Sequence, residues 1–147
     1  FMADEAEVIR MVASVDPTLA PTLIAAEPGR VLLAEAPGVD CWRPGADVVA
    51  RIVPRWVAVQ AALAGPPRLR VRGVRVPDFG LPETLLHGDF HPGNWRSDGR
   101  SLVLLDWGDC GVGHPMLDMS SFVEYVPERE FVGPSFPLVV SNLRSCV

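Results

Sequence analysis

The segment LLHGDFHPGNW, residues 85–95, limits more than any other stretch what this chain can fold into. Its two glycines and one proline disfavour a regular helix, so its polar side chains are expected to lie on a loop. The apolar run SLVLLDW, residues 101–107, follows an Asp-Gly pair at 98–99, which is a strong hairpin signal. The sequence therefore predicts a polar loop followed by a β-hairpin, with Asp106 returned to the same end as the loop.

Hydrophobic periodicity and turn signals predict the other elements. Apolar residues at helical spacing and a Pro-Gly turn predict helices over 3–15, 46–64 and 116–125 and two short strands around 28–29. Pro54 is expected to kink the second helix or to split it in two. Helices combined with short strands predict a fold of the α+β class.

Charge and cysteine content restrict the partners. The chain has 147 residues and a net charge of -5, which argues against a general nucleic-acid binder. No apolar run is long enough to cross a bilayer, so no membrane partner is expected. The three cysteines, Cys41, Cys110 and Cys146, show neither a zinc pattern nor a disulfide framework, and we expect reduced thiols in a cytoplasmic protein.

Asp89, Asn94 and Asp106 are the residues around which chemistry can be built. A carboxylate within reach of a hydroxyl can orient it and accept its proton, which suits Asp89 on its tight turn. The amide oxygen of Asn94 and the carboxylate of Asp106 are hard ligands of the kind that Mg²⁺ prefers. A metal held by two such residues, with a further carboxylate facing the nucleophile, is the arrangement that phosphoryl transfer requires.

The motifs HGDFHPGN and LVLLDWGDCGVGHPMLD, in this order and at this separation, closely resemble the aminoglycoside phosphotransferase family. This family includes choline-kinase-like and other small-molecule kinases with a protein-kinase-like fold. The resemblance implies a partial fold of that kind, made of the end of the small lobe and the catalytic core of the helical large lobe. Residues 1–38 would be the remnant of the N-terminal lobe and hinge, and 39–147 the partial C-terminal catalytic lobe.

Carried over position by position, the resemblance implies roles for the catalytic residues. Asp89 resembles the catalytic base, and Asn94 and Asp106 resemble the two magnesium ligands. His87 and Asp118 resemble residues that support the catalytic loop from behind.

Other matches to the family are less complete. His91 resembles either a support of the loop or a residue facing the phosphates, and Asp109 would face either substrate or solvent. The hinge segment Ala34, Glu35 and Ala36 resembles the backbone that hydrogen-bonds adenine. Glu5 resembles the helix acid that pairs with a phosphate-binding lysine, with Glu7 as its competitor.

The resemblance implies an ATP-dependent phosphotransferase that moves the γ-phosphate to a hydroxyl of a small acceptor. ATP, or another nucleoside triphosphate, and Mg²⁺ would be its cofactors, and the acceptor would be an aminoglycoside, an amino alcohol or a sugar-like molecule. The alternative is a truncated, catalytically inactive kinase-like protein or an interaction module.

The alternative follows from what the family has and this sequence lacks. All 13 basic residues are arginine, so no lysine can hold the phosphates, and no glycine-rich loop precedes the first helix. The sequence resembles an excerpt of the family's fold. We therefore expect low or absent turnover by this chain alone, and self-association through apolar surface left uncovered.

A third hypothesis belongs to another class of enzyme. His87, Asp89 and His91 alternate along the chain and could ligate a metal together with His114, as in a metal-dependent hydrolase. Gly88 and a proline disfavour the regular strand that this requires, and the spacing of the other acidic and amide residues would stay unexplained.

Overall fold

The structure is a computed structural model that describes residues 5–65 and 83–126. These ranges form helices, two 3₁₀ turns and short strands in three small antiparallel sheets. The helices are α1 (Glu5–Val15), α2 (Ala46–Ala62) and α3 (Asp118–Tyr125). The strands are β1 (Leu23–Glu27), β2 (Arg30–Leu33), β3 (Val39–Asp40), β4 (Thr84–Leu86), β5 (Trp95–Ser97), β6 (Leu102–Leu104) and β7 (Gly111–Gly113). The arrangement confirms the predicted α+β class.

The N-terminal elements agree with the sequence pattern. In α1 the residues at helical spacing, Val8, Ile9 and Val12, are buried, so the helix packs through one face. Strands β1 and β2 pair antiparallel around the turn at 28–29. This confirms the predicted pair of strands and the predicted first helix over Glu5–Val15, its first two predicted positions lying outside the described residues.

The helix α2 corrects one expectation. Pro54 lies inside it, yet the helix runs unbroken from Ala46 to Ala62, so of the two predicted outcomes the split is wrong and the kink stays a prediction. An interior proline costs about 3 kcal/mol, because one N–H is lost and the ring crowds a carbonyl. Burial outweighs that cost, since seven side chains of the helix are buried: Val49, Ile52, Val53, Trp56, Val57, Val59 and Gln60.

The predicted hairpin is present as β5 and β6. Its turn is closed by the carboxylate of Asp98, whose Oδ1 accepts hydrogen bonds from the amides of Arg100 (2.9 Å) and Ser101 (2.6 Å). Strand β3 pairs with β5 on the other side, with Asp40 opposite Arg96. The chain that follows the hinge is therefore tied to the hairpin that carries the polar loop.

An ion pair joins three parts of the fold. Arg55 on α2 donates from Nε to Oδ2 of Asp16 (2.7 Å) and from a terminal nitrogen to Oδ1 (2.8 Å). The same guanidinium donates to the carbonyl of Leu102 on β6 (3.1 Å). The hydrogen bonds from Arg55 lower the pKa of Asp16 to about 2, so its carboxylate is charged at neutral pH.

An aromatic core lies directly beneath the polar loop. Trp56, Phe90, Trp95, Trp107 and Phe122 expose 2% of their surface or less. The rings of Phe90 and Trp95 are 5.2 Å apart and those of Trp56 and Trp107 are 5.6 Å apart, in tilted and edge-on arrangements. Because Phe90 belongs to the polar loop, this packing anchors the loop to the core.

Other sequence predictions concern the surface and the ends of the chain. Ile24, Leu32 and Val39 are exposed by 61%, 56% and 72%, and self-association through such surface stays a prediction. In the two described ranges, none of the helices has both the length and the apolar character to span a bilayer. The division into 1–38 and 39–147 also stays a prediction, and Cys146 lies outside the described residues.

Candidate functional site

The polar loop after β4 holds Asp89 and Asn94 together. A 3₁₀ turn over Pro92–Asn94 brings the chain back, and Nδ2 of Asn94 donates to the carbonyl (2.9 Å) and to Oδ2 (3.0 Å) of Asp89. Because the amide nitrogen is used in this way, the amide oxygen of Asn94 is the atom left for a metal ion. The side chain of Asp89 keeps 38% of its surface exposed, so a hydroxyl can reach it.

His91 holds the same carboxylate from another side. Its Nδ1 accepts the hydrogen bond of the Gly93 amide (3.0 Å), which assigns the proton to Nε2. Nε2 then donates to Oδ2 of Asp89 (3.1 Å). One oxygen of Asp89 is thus fixed by His91 and Asn94, while the role of His91, as a support of the loop or as a residue facing the phosphates, stays a prediction.

His87 connects the loop to the strand before Asp106. Its fully buried ring donates from Nε2 to the carbonyl of Leu105 (2.9 Å) and accepts the amide of Asp89 at Nδ1 (3.3 Å). Burial lowers the pKa of His87 to about 4, against the opposing effect of the Leu105 carbonyl. His87 is therefore neutral near pH 7, and its ring joins the amide of Asp89 to the carbonyl of Leu105; its role as a support stays a prediction.

Asp106 is brought to the same end of the molecule as the loop. The amide of Leu105 donates to the carbonyl of Asn94 (2.8 Å), so the residue that follows lies beside the loop. Asp106 has a φ of 60°, and it is the one residue other than glycine with a positive φ in the described ranges. Such a left-handed conformation costs about 1–2 kcal/mol, although aspartate adopts it more readily than most residues. Its exposed carboxylate is available to a ligand.

Asp118 lies behind the loop and accepts four hydrogen bonds. Its Oδ2 accepts from Nε1 of Trp56 (2.9 Å), Nε2 of Gln60 (3.0 Å) and the amide of His87 (3.0 Å), and its Oδ1 accepts from the amide of Gly88 (2.9 Å). Burial raises the pKa of Asp118, although the hydrogen bonds from Gly88, His87 and Trp56 oppose the shift. Asp118 therefore fixes the first two residues of the loop to α2.

We expect Gly88→Ala to destabilise the fold by about 3 kcal/mol, because a left-handed φ and overpacking add their costs. Gly88 has a φ of 86°, and a Cβ there would lie 2.1 Å from the carbonyl oxygen of Asp109. The clash is with backbone, so it cannot be relieved by rotating a side chain. Urea denaturation followed by circular dichroism measures the loss.

Gly99→Ala is the matched control for this prediction. Gly99 has nearly the same φ, 87°, but a Cβ there meets nothing within 4 Å. We expect its loss to be limited to about 1 kcal/mol, the cost of the backbone conformation. Equal losses in the two variants would contradict a close approach at Gly88.

Glu5 lies at the start of α1 and is partly buried. Burial raises the pKa of Glu5, and the negative charge of Asp106 raises it further. The predicted lysine partner of Glu5 has no candidate in this chain, since the sequence contains no lysine, whereas the competing Glu7 is exposed.

The hinge segment Ala34–Ala36 is anchored on both sides. The amide of Ala34 donates to the carbonyl of Thr22 (2.8 Å), and Nε of Arg96 donates to the carbonyl of Ala36 (2.9 Å). The guanidinium of Arg96 also contacts Asp40 (3.1 Å). Arg96 lies two residues after Asn94, so it links the hinge directly to the hairpin of the candidate site.

A cavity of about 400 Å³ adjoins the hinge. Ala34 and Ala36 line it, but Glu35 does not, and the lining includes neither Asp89 nor Asn94 nor Asp106. The cavity is therefore separate from the candidate catalytic residues. The predicted binding of adenine by Ala34, Glu35 and Ala36 stays a prediction.

Several residues at the site do not follow from sequence patterns. Trp42 and Tyr125 lie against the ring of His91, with centroids 5.3 and 4.9 Å away. Arg96 and Gln60 contact the hinge and Asp118 from distant parts of the chain. None of these four residues belongs to a sequence motif. The one feature of the sequence that could have indicated such a role is the position of Arg96 directly after the polar loop.

The metal-hydrolase hypothesis finds no support in the geometry. Within residues 5–65 and 83–126, no three His, Cys, Asp or Glu side chains are grouped so that they could hold a metal ion. Both ring nitrogens of His87 and of His91 are engaged in the hydrogen bonds of the loop. The two residues predicted to bind Mg²⁺ are Asp106 and Asn94, and Asn94, an amide, is not one of these four residue types.

Comparison with known protein families assigns the chain to the kinase-like phosphotransferase class. Residues 6–135 match the phosphotransferase enzyme family APH, and the chain belongs to this family. This confirms the resemblance drawn from the two motifs.

Among solved structures, the chain is similar to the apoenzyme of macrolide 2'-phosphotransferase MphH from Brachybacterium faecium. The TM-score is 0.53 at 16% sequence identity, and the match covers 98% of this chain and 65% of that one. At this identity the similarity shows the fold, which confirms a partial kinase-like architecture. The chain thus spans less than two thirds of that enzyme. Comparison with curated protein sequences gave no match.

Proposed function

We propose that this chain carries the catalytic core of an ATP-dependent small-molecule phosphotransferase. It would transfer the γ-phosphate of ATP, or of another nucleoside triphosphate, to a hydroxyl of a small acceptor. Asp89 would act as the base, and Asn94 and Asp106 would hold Mg²⁺. Membership of the phosphotransferase family supports the reaction class.

One observation carries the proposal more than any other. The hydrogen bonds of His91 and Asn94 fix Oδ2 of Asp89, while the side chain stays partly exposed. Its second oxygen can therefore meet an acceptor hydroxyl in a fixed direction. A positioned carboxylate can orient the hydroxyl and take its proton as the oxygen attacks.

The residues present also suit the proposed metal. Asn94 and Asp106 offer an amide oxygen and a carboxylate, which are ligands that Mg²⁺ accepts. When bound, Mg²⁺ would neutralise charge on the transferring phosphate. Asn94 is held in position by Asp89, and the backbone before Asp106 is held by Asn94 and His87. The ligands would therefore need little reordering.

The proposal extends to partners and location. The acceptor would be a small hydroxylated molecule, with neither a nucleic acid nor a membrane as partner, in keeping with the net charge of -5. Cys41, a thiol outside any disulfide, suits the reducing cytoplasm that we propose as its location.

A transfer assay with labelled nucleotide tests this function. The purified chain is incubated with γ-labelled ATP, Mg²⁺ and a panel of aminoglycosides, amino alcohols and sugars, and labelled acceptor is measured. We expect slow transfer that requires Mg²⁺. Asp106→Asn should raise the Mg²⁺ concentration for half-maximal rate by about 10-fold or more, since even supporting residues of metal sites cost about 10- to 100-fold. Asp47→Asn, which removes an exposed carboxylate at the start of α2, is the control.

The alternative function makes a different prediction. A truncated, inactive kinase-like protein or an interaction module would fold and transfer no phosphate to any acceptor. The absence of a phosphate-binding lysine favours this reading. A folded, inactive wild-type chain would therefore contradict the proposed catalysis and support the alternative.

A further inference from the structure

Two exposed aromatic side chains form a corner beside the proposed base. Trp42 and Tyr125 are exposed by 55% and 43%, and their ring centroids are 6.1 Å apart with planes at 65°. Both rings contact His91, which donates to Asp89. The corner is therefore one side chain away from the carboxylate that would orient the acceptor.

Trp42 differs from the other tryptophans of the chain. Trp56, Trp95 and Trp107 are buried in the core, with 2% exposure or less, whereas Trp42 leaves more than half of its surface in water. Large apolar surface that stays exposed beside convergent polar groups is typical of ligand sites. The core does not account for the position of this indole.

The catalytic loop is shaped to let the indole approach. A Cβ on Gly93 would lie 2.6 Å from ring atoms of Trp42 and 2.6 Å from Cε1 of His91. Only glycine therefore allows Trp42 to lie against the loop between Asp89 and Asn94. The aromatic corner is built into the loop that carries the candidate catalytic residues.

We propose that Trp42 and Tyr125 form an acceptor subsite that binds the pyranose ring of a sugar-like acceptor. This inference rests on the proposed function. A pyranose has apolar C–H faces and polar hydroxyls at its edge, so it can stack on an aromatic ring and turn one hydroxyl toward Asp89.

A cationic amine is the competing occupant, because aromatic faces also attract cations. The pyranose is favoured because Oδ2 of Asp89 already accepts from His91 and Asn94. The remaining oxygen is free to accept a hydrogen bond, which several hydroxyls at the edge of a pyranose can donate. A purely structural role, in which the rings only cover His91, is the other alternative.

Iodide quenching of tryptophan fluorescence tests the subsite without requiring turnover. Three of the four tryptophans are buried, so quenching by iodide reports on Trp42. The probes are methyl glucopyranoside and methyl galactopyranoside, the ring-free polyols glucitol and galactitol, and choline as a cation without a ring. We expect a pyranoside to reduce the quenching, and the polyols and choline to leave it unchanged.

Variants define the contributions of the two rings. Trp42→Phe should remove the quenchable signal, and Tyr125→Ala should weaken pyranoside protection by about 5- to 10-fold. Val123→Ala is the matched control, because Val123 is an exposed apolar residue of the same helix α3. Protection by choline alone, protection by polyols as well as by pyranosides, or no protection by any probe would overturn the proposal.

Kinetics separates this inference from the proposed function. With an acceptor that is phosphorylated, Tyr125→Ala should raise KM for that acceptor about 5- to 10-fold with kcat unchanged. A lowered kcat for every acceptor would show that the rings only cover His91 and would overturn the subsite. Pyranoside protection without phosphate transfer would support the subsite and contradict the catalysis. Transfer without protection would contradict the subsite alone.

Discussion

Replacing Asp118 with alanine is expected to lower the free energy of unfolding by about 3 to 5 kcal/mol, because a buried hydrogen-bonded carboxylate is lost. Its oxygens accept from Trp56, Gln60 and the amides of His87 and Gly88. Alanine removes the acceptor of all four donors, three of which bind Oδ2. Part of this loss is offset, because the variant no longer buries a carboxylate whose pKa is raised by that burial. Urea denaturation monitored by circular dichroism measures the difference.

Asp118→Asn and Glu124→Ala make this experiment decisive. An asparagine oxygen can still accept the three bonds made to Oδ2, while its amide nitrogen would oppose the Gly88 amide. We expect about half of the alanine effect, which keeps the test measurable if Asp118→Ala does not fold. Glu124 is exposed on the same helix, and its loss should change stability by about 0.5 kcal/mol or less. Equal stability of the alanine variants at 118 and 124 would show that Asp118 does not hold the loop.

Asp89→Asn is expected to lower kcat for phosphate transfer by about 10²- to 10⁴-fold, the usual contribution of a general base. Asparagine keeps the size of the side chain and an oxygen that can accept from His91 and Asn94. It cannot take the proton of the acceptor hydroxyl. We therefore expect KM for ATP and the stability of the fold to change little, and single-turnover measurements with labelled ATP isolate the chemical step.

Asp47→Asn is again the comparison, since it removes one carboxylate from an exposed helix terminus. Its kcat should equal that of the wild-type chain. If Asp89→Asn retains wild-type kcat while the unmodified chain transfers phosphate, another group must act as the base. The positioned carboxylate would then serve only to hold His91 and Asn94.

The candidate site was predictable to the extent that it is local in the sequence. Asp89 and Asn94 are five residues apart on one loop, and a short hairpin returns Asp106 to them. Turn chemistry and apolar alternation report such short-range geometry directly. The roles of these residues as base and metal ligands stay proposals.

The parts that sequence could not supply depend on distant contacts. Arg96 reaches the hinge carbonyl of Ala36 across 60 positions, and Trp42 meets His91 through the pairing of β3 with β5. No periodic pattern encodes either contact. The unbroken helix around Pro54 has the same origin, because burial of the helix on the core outweighs a local rule.

The two hydrogen bonds of Leu105 have a consequence for how the segment before Asp106 responds to acid. Its amide is bound to Asn94 and its carbonyl to neutral His87, so Asp106 follows a peptide segment clamped at both sides. A second proton on His87 would point a donor at the donor amide of Asp89, and the imidazole would have to leave its pocket. Because burial lowers the pKa of His87 from 6.5 to about 4, we expect stability to be lost progressively as the pH falls from about 6.5 toward 4, with the loop of Asp89 and the segment before Asp106 loosened together.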